Sequence, residues 1–353
     1  MTATAPRPAA EAEGTPSRLV DRFGRAHRDL RISLTDRCSL RCTYCMPADG
    51  VPWLPRDELL STDELVRVAA VGVSLGITEI RLTGGEPLLR PDVVDVVRRL
   101  AALEGPDGPP ELSLTTNGLR LPQLAAPLRD AGLQRVNVSL DTLDRQRFTA
   151  LTRRDRLDDT LAGLAAADAA GLWPIKVNAV AMRGVNDDEV VALTRFAVDR
   201  GYQMRFIEQM PLDGGHTWDR TAMVTQAEIL DRLSSAFTLT EVPGRGAAPA
   251  ELWFVDGGPA TVGVIASVTA PFCASCDRLR LTADGQLRAC LFARTEVDTR
   301  VVLRPEGDEV GDDETDELLA EAFRHCLAGK KAGHDIGEPA FVQPDRPMSA
   351  IGG

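Results

Sequence analysis

Seven cysteines occur in 353 residues, and six of them fall into two triplets. Cys38, Cys42 and Cys45 form a C-x3-C-x2-C array, and Cys273, Cys276 and Cys290 form C-x2-C-x13-C. Grouping this tight points to metal binding rather than to a disulfide framework, because closely spaced thiolates suit a soft metal centre. The number in each group matters. A [4Fe–4S] cube has four irons, so three cysteines leave the fourth open to another ligand, whereas structural zinc is closed by four protein ligands. The histidine nearest the first array is His27, eleven residues upstream across a predicted strand. At the second array His325 or His334 could complete a zinc site, so zinc and a second open cluster both stand there. Cys326 is alone on an amphipathic helix and is expected to pack as a small hydrophobe.

Further polar residues fall where parallel α/β folds gather their chemistry, at the C-terminal ends of strands. GGEP (84–87) ends the second predicted strand, and its glycines allow backbone to approach a ligand closely. Thr115 and Asn117 follow the third strand, Ser139 and Asp141 the fourth, and Met210 the sixth. Lys176 and Asn178 share one face of the fifth strand, Arg205 lies on the sixth, and Arg278 and Arg280 share a face beside the second triplet. A lysine inside an apolar strand is costly unless it is paired or bound to an anion. Forked cations beside a metal centre suit a carboxylate or phosphate ligand.

The elements that must carry these residues alternate. Strands are predicted at 29–35, 77–87, 111–116, 134–141, 173–180 and 202–210, each followed by a helical or turn segment. Ser61 or Thr62 caps the first helix, Gly76 stops it, and Pro91 opens the second. Six βα units imply right-handed crossovers and a parallel sheet, but are too few for a closed eight-stranded barrel. Periodicity leaves a partial barrel and an open doubly wound sheet as alternatives. After about residue 215 the alternation stops. Short strands near 236–242, 251–255 and 260–267 lead to the second triplet, where RLRLTADGQLRAC reads as a hairpin turning at Asp284-Gly285 and bringing Cys290 back toward Cys276. An amphipathic helix runs to about Lys330. The expected division is a leader at 1–20, a core at 21–215, a smaller α+β domain at 216–330 and an extended arm at 331–353.

The formal net charge is −12, which argues against nucleic-acid or anionic-membrane partners, so a phosphorylated substrate would need a local basic pocket. The leader lacks the basic start and apolar run of a signal peptide, and no apolar stretch approaches the length of a membrane span. Cytoplasmic localisation is expected.

The first array, with Tyr44 just before its third cysteine, together with GGEP resembles the radical S-adenosylmethionine (SAM) superfamily. With the second triplet, the intervening Arg-Leu-Arg and the terminal Gly-Gly, the chain resembles the GTP 3′,8-cyclase family, which begins molybdenum cofactor biosynthesis. The resemblance implies a partial (β/α)6 barrel, a first [4Fe–4S] cluster on Cys38, Cys42 and Cys45, and a second on Cys273, Cys276 and Cys290. It implies SAM contacts at Tyr44, Gly85, Ser139 and Met210, with Arg205 a further candidate. GTP contacts fall on Arg31, Arg81, Thr115, Lys176, Arg278 and Arg280. Gly352 and Gly353 match a tail that reaches the active site. A 5′-deoxyadenosyl radical would take hydrogen from ribose C3′, and C3′ would then bond to guanine C8. An electron donor and the downstream cyclic pyranopterin monophosphate synthase are the implied partners, and a homodimer is one assembly to consider. Two rivals remain at this stage: another two-cluster radical SAM enzyme, such as one modifying peptides, and a zinc-stapled binding module without catalysis.

Overall fold

The segment DLRIS forms β1 (Asp29–Ser33) with Leu30 and Ile32 fully buried, so period-two geometry turns Arg31 to the opposite face. The computed structural model describes residues 18–213, 215–306, 311–338 and 341–352. Most of the expected leader, and Gly353, lie outside the described residues.

After β1 come α1 (Thr62–Ser74), β2 (Glu79–Thr83), α2 (Val93–Ala101) and β3 (Glu111–Thr116). Then follow α3 (Leu121–Asp130), β4 (Arg135–Ser139), α4 (Arg145–Thr152) and α5 (Leu157–Ala169). β5 (Lys176–Ala181), α6 (Val190–Val198) and β6 (Gln203–Glu208) complete six units. Of the two candidate caps Ser61 is the one used: its hydroxyl accepts from the Glu64 amide at 3.2 Å, and the Glu64 carboxylate accepts from the Ser61 amide at 2.7 Å. Pro91 lies just ahead of α2, in the turn before Val93, rather than inside the helix.

Strand order decides the architecture. β1 to β6 pair in parallel in chain order, with no reversal. A doubly wound sheet reverses its order at a switch point. An unreversed run of six is an arc of a barrel.

The remaining elements are α7 (Gln226–Ser234), β7 (Leu239–Glu241), β8 (Glu251–Val255) and β9 (Thr261–Ile265). β10 (Arg278–Leu281) and β11 (Gln286–Arg288) form the expected hairpin, with Gly285 at φ +79° in its turn. β12 (Val297–Asp298), α8 (Arg300–Leu303) and α9 (Asp312–Ala328) follow. β9 pairs parallel with β6, and β10 parallel with β1. One sheet results, in the order β12-β11-β10-β1-β2-β3-β4-β5-β6-β9-β8-β7, so the strands after residue 215 extend both edges of the arc. Cys326 packs into the core from α9, as expected. The arm is not wholly extended: after Pro347 the chain makes one helical turn, α10 (Met348–Ile351). Four residues are too few to show a helical period in the sequence.

Glu208 ties these parts together. Fully buried at the end of β6, its carboxylate accepts from the amides of Gln226 and Val268 at 2.8 Å and of Thr269 at 2.9 Å, and from the Thr269 hydroxyl. It thereby anchors α7 and the loop that leads to Cys273. Glu208→Ala removes the acceptor of three amides, that of Val268 buried and those of Gln226 and Thr269 partly so, and should cost about 3 kcal/mol at about 1 kcal/mol each. Denaturant unfolding checks this, and Glu208→Gln should lose less.

Candidate active site

Both cysteine triplets line one cavity of about 300 Å³. The first sits in the loop leaving β1. Its backbone is pinned to the end of α4, with the Arg41 amide donating to the Thr152 carbonyl at 3.0 Å and the Thr43 amide to Leu151 at 2.9 Å. The loop turns tightly, the Cys45 and Met46 amides both donating to the Cys42 carbonyl at 3.0 Å. Burial pushes the Cys38 thiol up to about 11 and Cys45 up to about 12, and Cys42 well above its ordinary value. After burial, Cys42 feels Asp141 and its two sister thiols, all of which oppose its ionisation. A group bound here as thiolates must bring its own positive charge, as iron ions do. The donor set fits an iron–sulfur cluster.

GGEP packs directly on this loop. The Gly85 amide donates to the Thr35 carbonyl at 2.7 Å, and a Cβ on Gly85 would lie 2.4 Å from the carbonyl oxygens of Asp36 and Arg37. Glycine is required by this backbone-to-backbone contact, and the amide that could have served a ligand is spent inside the protein. Glu86, buried beside it, accepts from the Thr116 hydroxyl at 2.7 Å and the Asn117 amide at 2.8 Å, fixing the end of β3. Tyr44 donates its hydroxyl to Asp141 at 2.8 Å, and burial raises the Asp141 carboxyl to about 6. Gly85, Ser139, Met210 and Arg205 line the same cavity, and so does Thr115, which accepts from the Asn137 amide group at 3.3 Å.

Register builds a cationic wall. Arg31 pairs with Arg280 on one side and with Arg81 on the other, while Arg278 pairs with Asp29 one step away. All four arginines line the cavity. Arg81 donates to Ser113 at 3.2 Å, whereas the Nε groups of Arg31 and Arg278 are buried without a hydrogen-bond partner. Burial and mutual repulsion lower Arg31, Arg81 and Arg280, the last to about 10. Burial alone would raise the Asp29 carboxyl, but Arg31, Arg81, Arg278 and Arg280 hold it below its usual range. One carboxylate among four guanidiniums leaves an excess of positive charge that suits a polyanion. Lys176 is buried at the start of β5, below the residues that line the cavity. Burial first, then Arg205, Arg135 and Arg81, bring its ammonium down to about 7.

At the second triplet Cys273 opens a single 3-10 turn, and Cys276 and Cys290 flank the hairpin. Burial pushes the Cys273 thiol up to about 11, whereas Cys276, also buried, is held below its ordinary value by Arg278 and Lys330. The zinc alternative finds no fourth ligand in either histidine. His334 has both ring nitrogens engaged, Nε2 with the Ser267 carbonyl at 2.7 Å and Nδ1 with the Ile336 amide at 3.2 Å. His325 lies on the exposed face of α9.

The tail closes over this cavity. Arg346 binds Asp284 through two nitrogens at 3.1 and 2.8 Å and Glu296 at 3.0 Å, and the Met348 amide donates to the Leu212 carbonyl at 3.0 Å. Met348 and Ser349 line the cavity, and Arg280 donates to the Gly352 carbonyl. Gly352 has φ +85°, and a Cβ there would lie 2.0 Å from the Ser33 hydroxyl, so only glycine fits. Glu86, Glu208, Lys330 and Arg346 are the residues that reading the sequence did not single out. Glu86 sat within a noted motif, while the others carry no local signal.

Three half-buried cysteines on a loop leaving the first strand of an unreversed six-unit arc define a radical SAM enzyme. Residues 32–197 match the family model "Radical SAM superfamily", and residues 202–336 match "Molybdenum Cofactor Synthesis C". SuiB of Streptococcus suis, bound to S-adenosylmethionine, shares the fold, with a TM-score of 0.54 at 12% identity over 87% of this chain and 68% of that one. So does anSMEcpe with bound AdoMet, with a TM-score of 0.51 at 13% identity over 76% and 77%. In sequence the chain is 58% identical to GTP 3′,8-cyclase of Streptomyces coelicolor, covering 95% of this chain and 96% of that protein. It is 54% identical to GTP 3′,8-cyclase 2 of Mycobacterium tuberculosis, over 96% and 93%. The chain belongs to the GTP 3′,8-cyclase family.

Two predictions follow from this geometry. Affinity for inorganic triphosphate should fall about tenfold between pH 6 and pH 8 as Lys176 loses its proton, since the ammonium attracts the anion and the amine does not. Calorimetric titration beside Lys176→Met, which serves as reference for the probe's own ionisation, measures the difference. Arg346→Gln should free the tail, seen as at least tenfold faster amide exchange at Met348 and Gly352 with the sheet amides unchanged.

Proposed function

We propose that this chain converts GTP to (8S)-3′,8-cyclo-7,8-dihydroguanosine 5′-triphosphate, the first step of molybdenum cofactor biosynthesis. SAM and two [4Fe–4S] clusters are its cofactors. The observation that carries this reading is the shared cavity, where two cysteine triplets and a four-arginine wall meet. Membership of the GTP 3′,8-cyclase family disfavours the peptide-modifying alternative.

Cys38, Cys42 and Cys45 are proposed to hold the first cluster, which would supply the electron for reductive cleavage of SAM. Tyr44, Gly85, Ser139 and Met210, with Arg205, are proposed around SAM. Arg31, Arg81, Arg278 and Arg280 would bind and orient the triphosphate, with Thr115 on the nucleoside and Lys176 adding long-range charge from below. Cys273, Cys276 and Cys290 would hold the second cluster. The proposed functional division has SAM chemistry in 21–215 and the nucleotide-side cluster in 216–330, whereas the second family match begins earlier, at residue 202. Gly352 and Gly353 are proposed as catalytic residues; in support, Gly352 reaches Arg280, a proposed GTP contact. A carbon radical is quenched by any hydrogen donor, so apolar lining such as Leu40, Phe148, Ile265 and Phe292 serves to exclude water.

An electron donor and the downstream cyclic pyranopterin monophosphate synthase are the proposed partners, with a homodimer the proposed assembly and the cytoplasm the proposed location. Among the described residues no helix is long and apolar enough to cross a membrane.

Anaerobic incubation with SAM, dithionite and GTP should yield 5′-deoxyadenosine and the cyclised nucleotide. SAM cleavage that ignores GTP, with GTP unconsumed, would sink the reading. Cys42→Ala should abolish SAM cleavage. Arg280→Leu should weaken GTP binding about 10- to 100-fold while keeping its iron, a loss matching one charge-assisted contact.

A further inference from the structure

Lys330, just past α9, is 4% exposed. Its Nζ donates to the carbonyl of Arg278 at 2.6 Å and of Ala289 at 2.9 Å, and lies 3.7 Å from Cys276 Sγ. Arg278 opens β10 and Ala289 directly precedes Cys290, so one ammonium spans the open end of the hairpin between two of the three cysteines. An ammonium has three N–H donors, and three acceptors surround this one. Of the acidic groups around it the thiols of Cys276 and Cys290 act most strongly, with that of Cys326 also within reach of its charge, while Arg278, Arg25 and the His27 ring are its other neighbours.

Its neighbourhood is locked from a third direction. Arg25 donates to the Cys273 carbonyl at 2.6 Å and to the Lys331 carbonyl at 2.9 Å, and its Nε is held by Asp21 at 2.6 Å. The residue next to Lys330 and the first cysteine of the triplet are therefore bound by the same guanidinium. A lysine reaching a ligand sulfur from a separate element adds a hydrogen bond and a fixed positive charge beside the metal site. Both stabilise the reduced, more negative state of an iron–sulfur cluster.

We propose that Lys330 is a positioning residue that raises the reduction potential of the second cluster by donating to Cys276 and bridging the hairpin that carries Cys290. The inference rests on the reading of Cys273, Cys276 and Cys290 as a cluster site.

The test uses the full chain with Cys38→Ser, Cys42→Ser and Cys45→Ser, so that only the second triplet can hold a cluster. It is reconstituted anaerobically, assayed for iron and sulfide, and titrated with dithionite under electron paramagnetic resonance. Adding Lys330→Met should keep the iron but lower the reduced-to-oxidised ratio at a fixed potential about tenfold, which is 59 mV for one electron. Lys330→Arg should restore most of that ratio. An unchanged ratio in both Lys330→Met and Lys330→Gln overturns the proposal. Loss of the cluster from both also overturns it, because Lys330 would then only support the fold. A parent without iron and sulfide, or loaded with zinc, removes the cluster reading and the proposal together, and is told apart by the metal assay alone.

Discussion

The parallel pairing of β10 with β1 is the contact on which the rest depends. It joins residues 278–281 to residues 29–32, close to opposite ends of the chain. Without it, Arg31 and Arg81 would form half a cationic wall, and the second triplet would have no place beside the first. With it, four arginines meet around a single buried carboxylate, Asp29. Guanidiniums crowded out of water repel one another, and the Nε groups of Arg31 and Arg278 lack hydrogen-bond partners, a state that an incoming polyphosphate relieves. Such a wall suits a polyanion in an otherwise acidic protein.

The two thiol groups differ in their electrostatic surroundings. At Cys42 burial is reinforced by Asp141 and by the sister thiols. At Cys276 burial is opposed by Arg278 and Lys330. Negative charge such as that of Asp141 would push a cluster held there toward low potential. The second triplet lies beside the cations Arg278 and Lys330, which suit a ligand of negative charge. Distinct environments let two clusters of the same composition do different work within one cavity.

Closure of the cavity relies on polar bonds made by a short piece of chain. Arg346 crosses to Asp284 in the hairpin turn and to Glu296, while Gly352 settles against Ser33 and Arg280. The tail is therefore fastened to the same hairpin that carries the second triplet, and its docking depends on that hairpin being formed.

Much of this was legible in the residues themselves. Both triplets, the Asp284-Gly285 hairpin, a helix cap at Ser61 or Thr62 and the six βα units follow from spacing, turn chemistry and period, all local properties of the chain. The choice between a partial barrel and a doubly wound sheet was not, because strand order is a property of pairing between distant segments and leaves no trace in periodicity. The same holds for Glu208, Lys330 and Arg346, whose partners lie 18 to 62 residues away, many of them on backbone atoms that every residue has. The zinc alternative fell for this reason too: that His334 spends both nitrogens on Ser267 and Ile336 is invisible until the chain is folded. Local sequence thus determined which elements form and which residues can ligate, since propensity and spacing act over a few residues. Tertiary structure alone decided which strands meet and so which charges share a wall, since register is set by long-range pairing and burial.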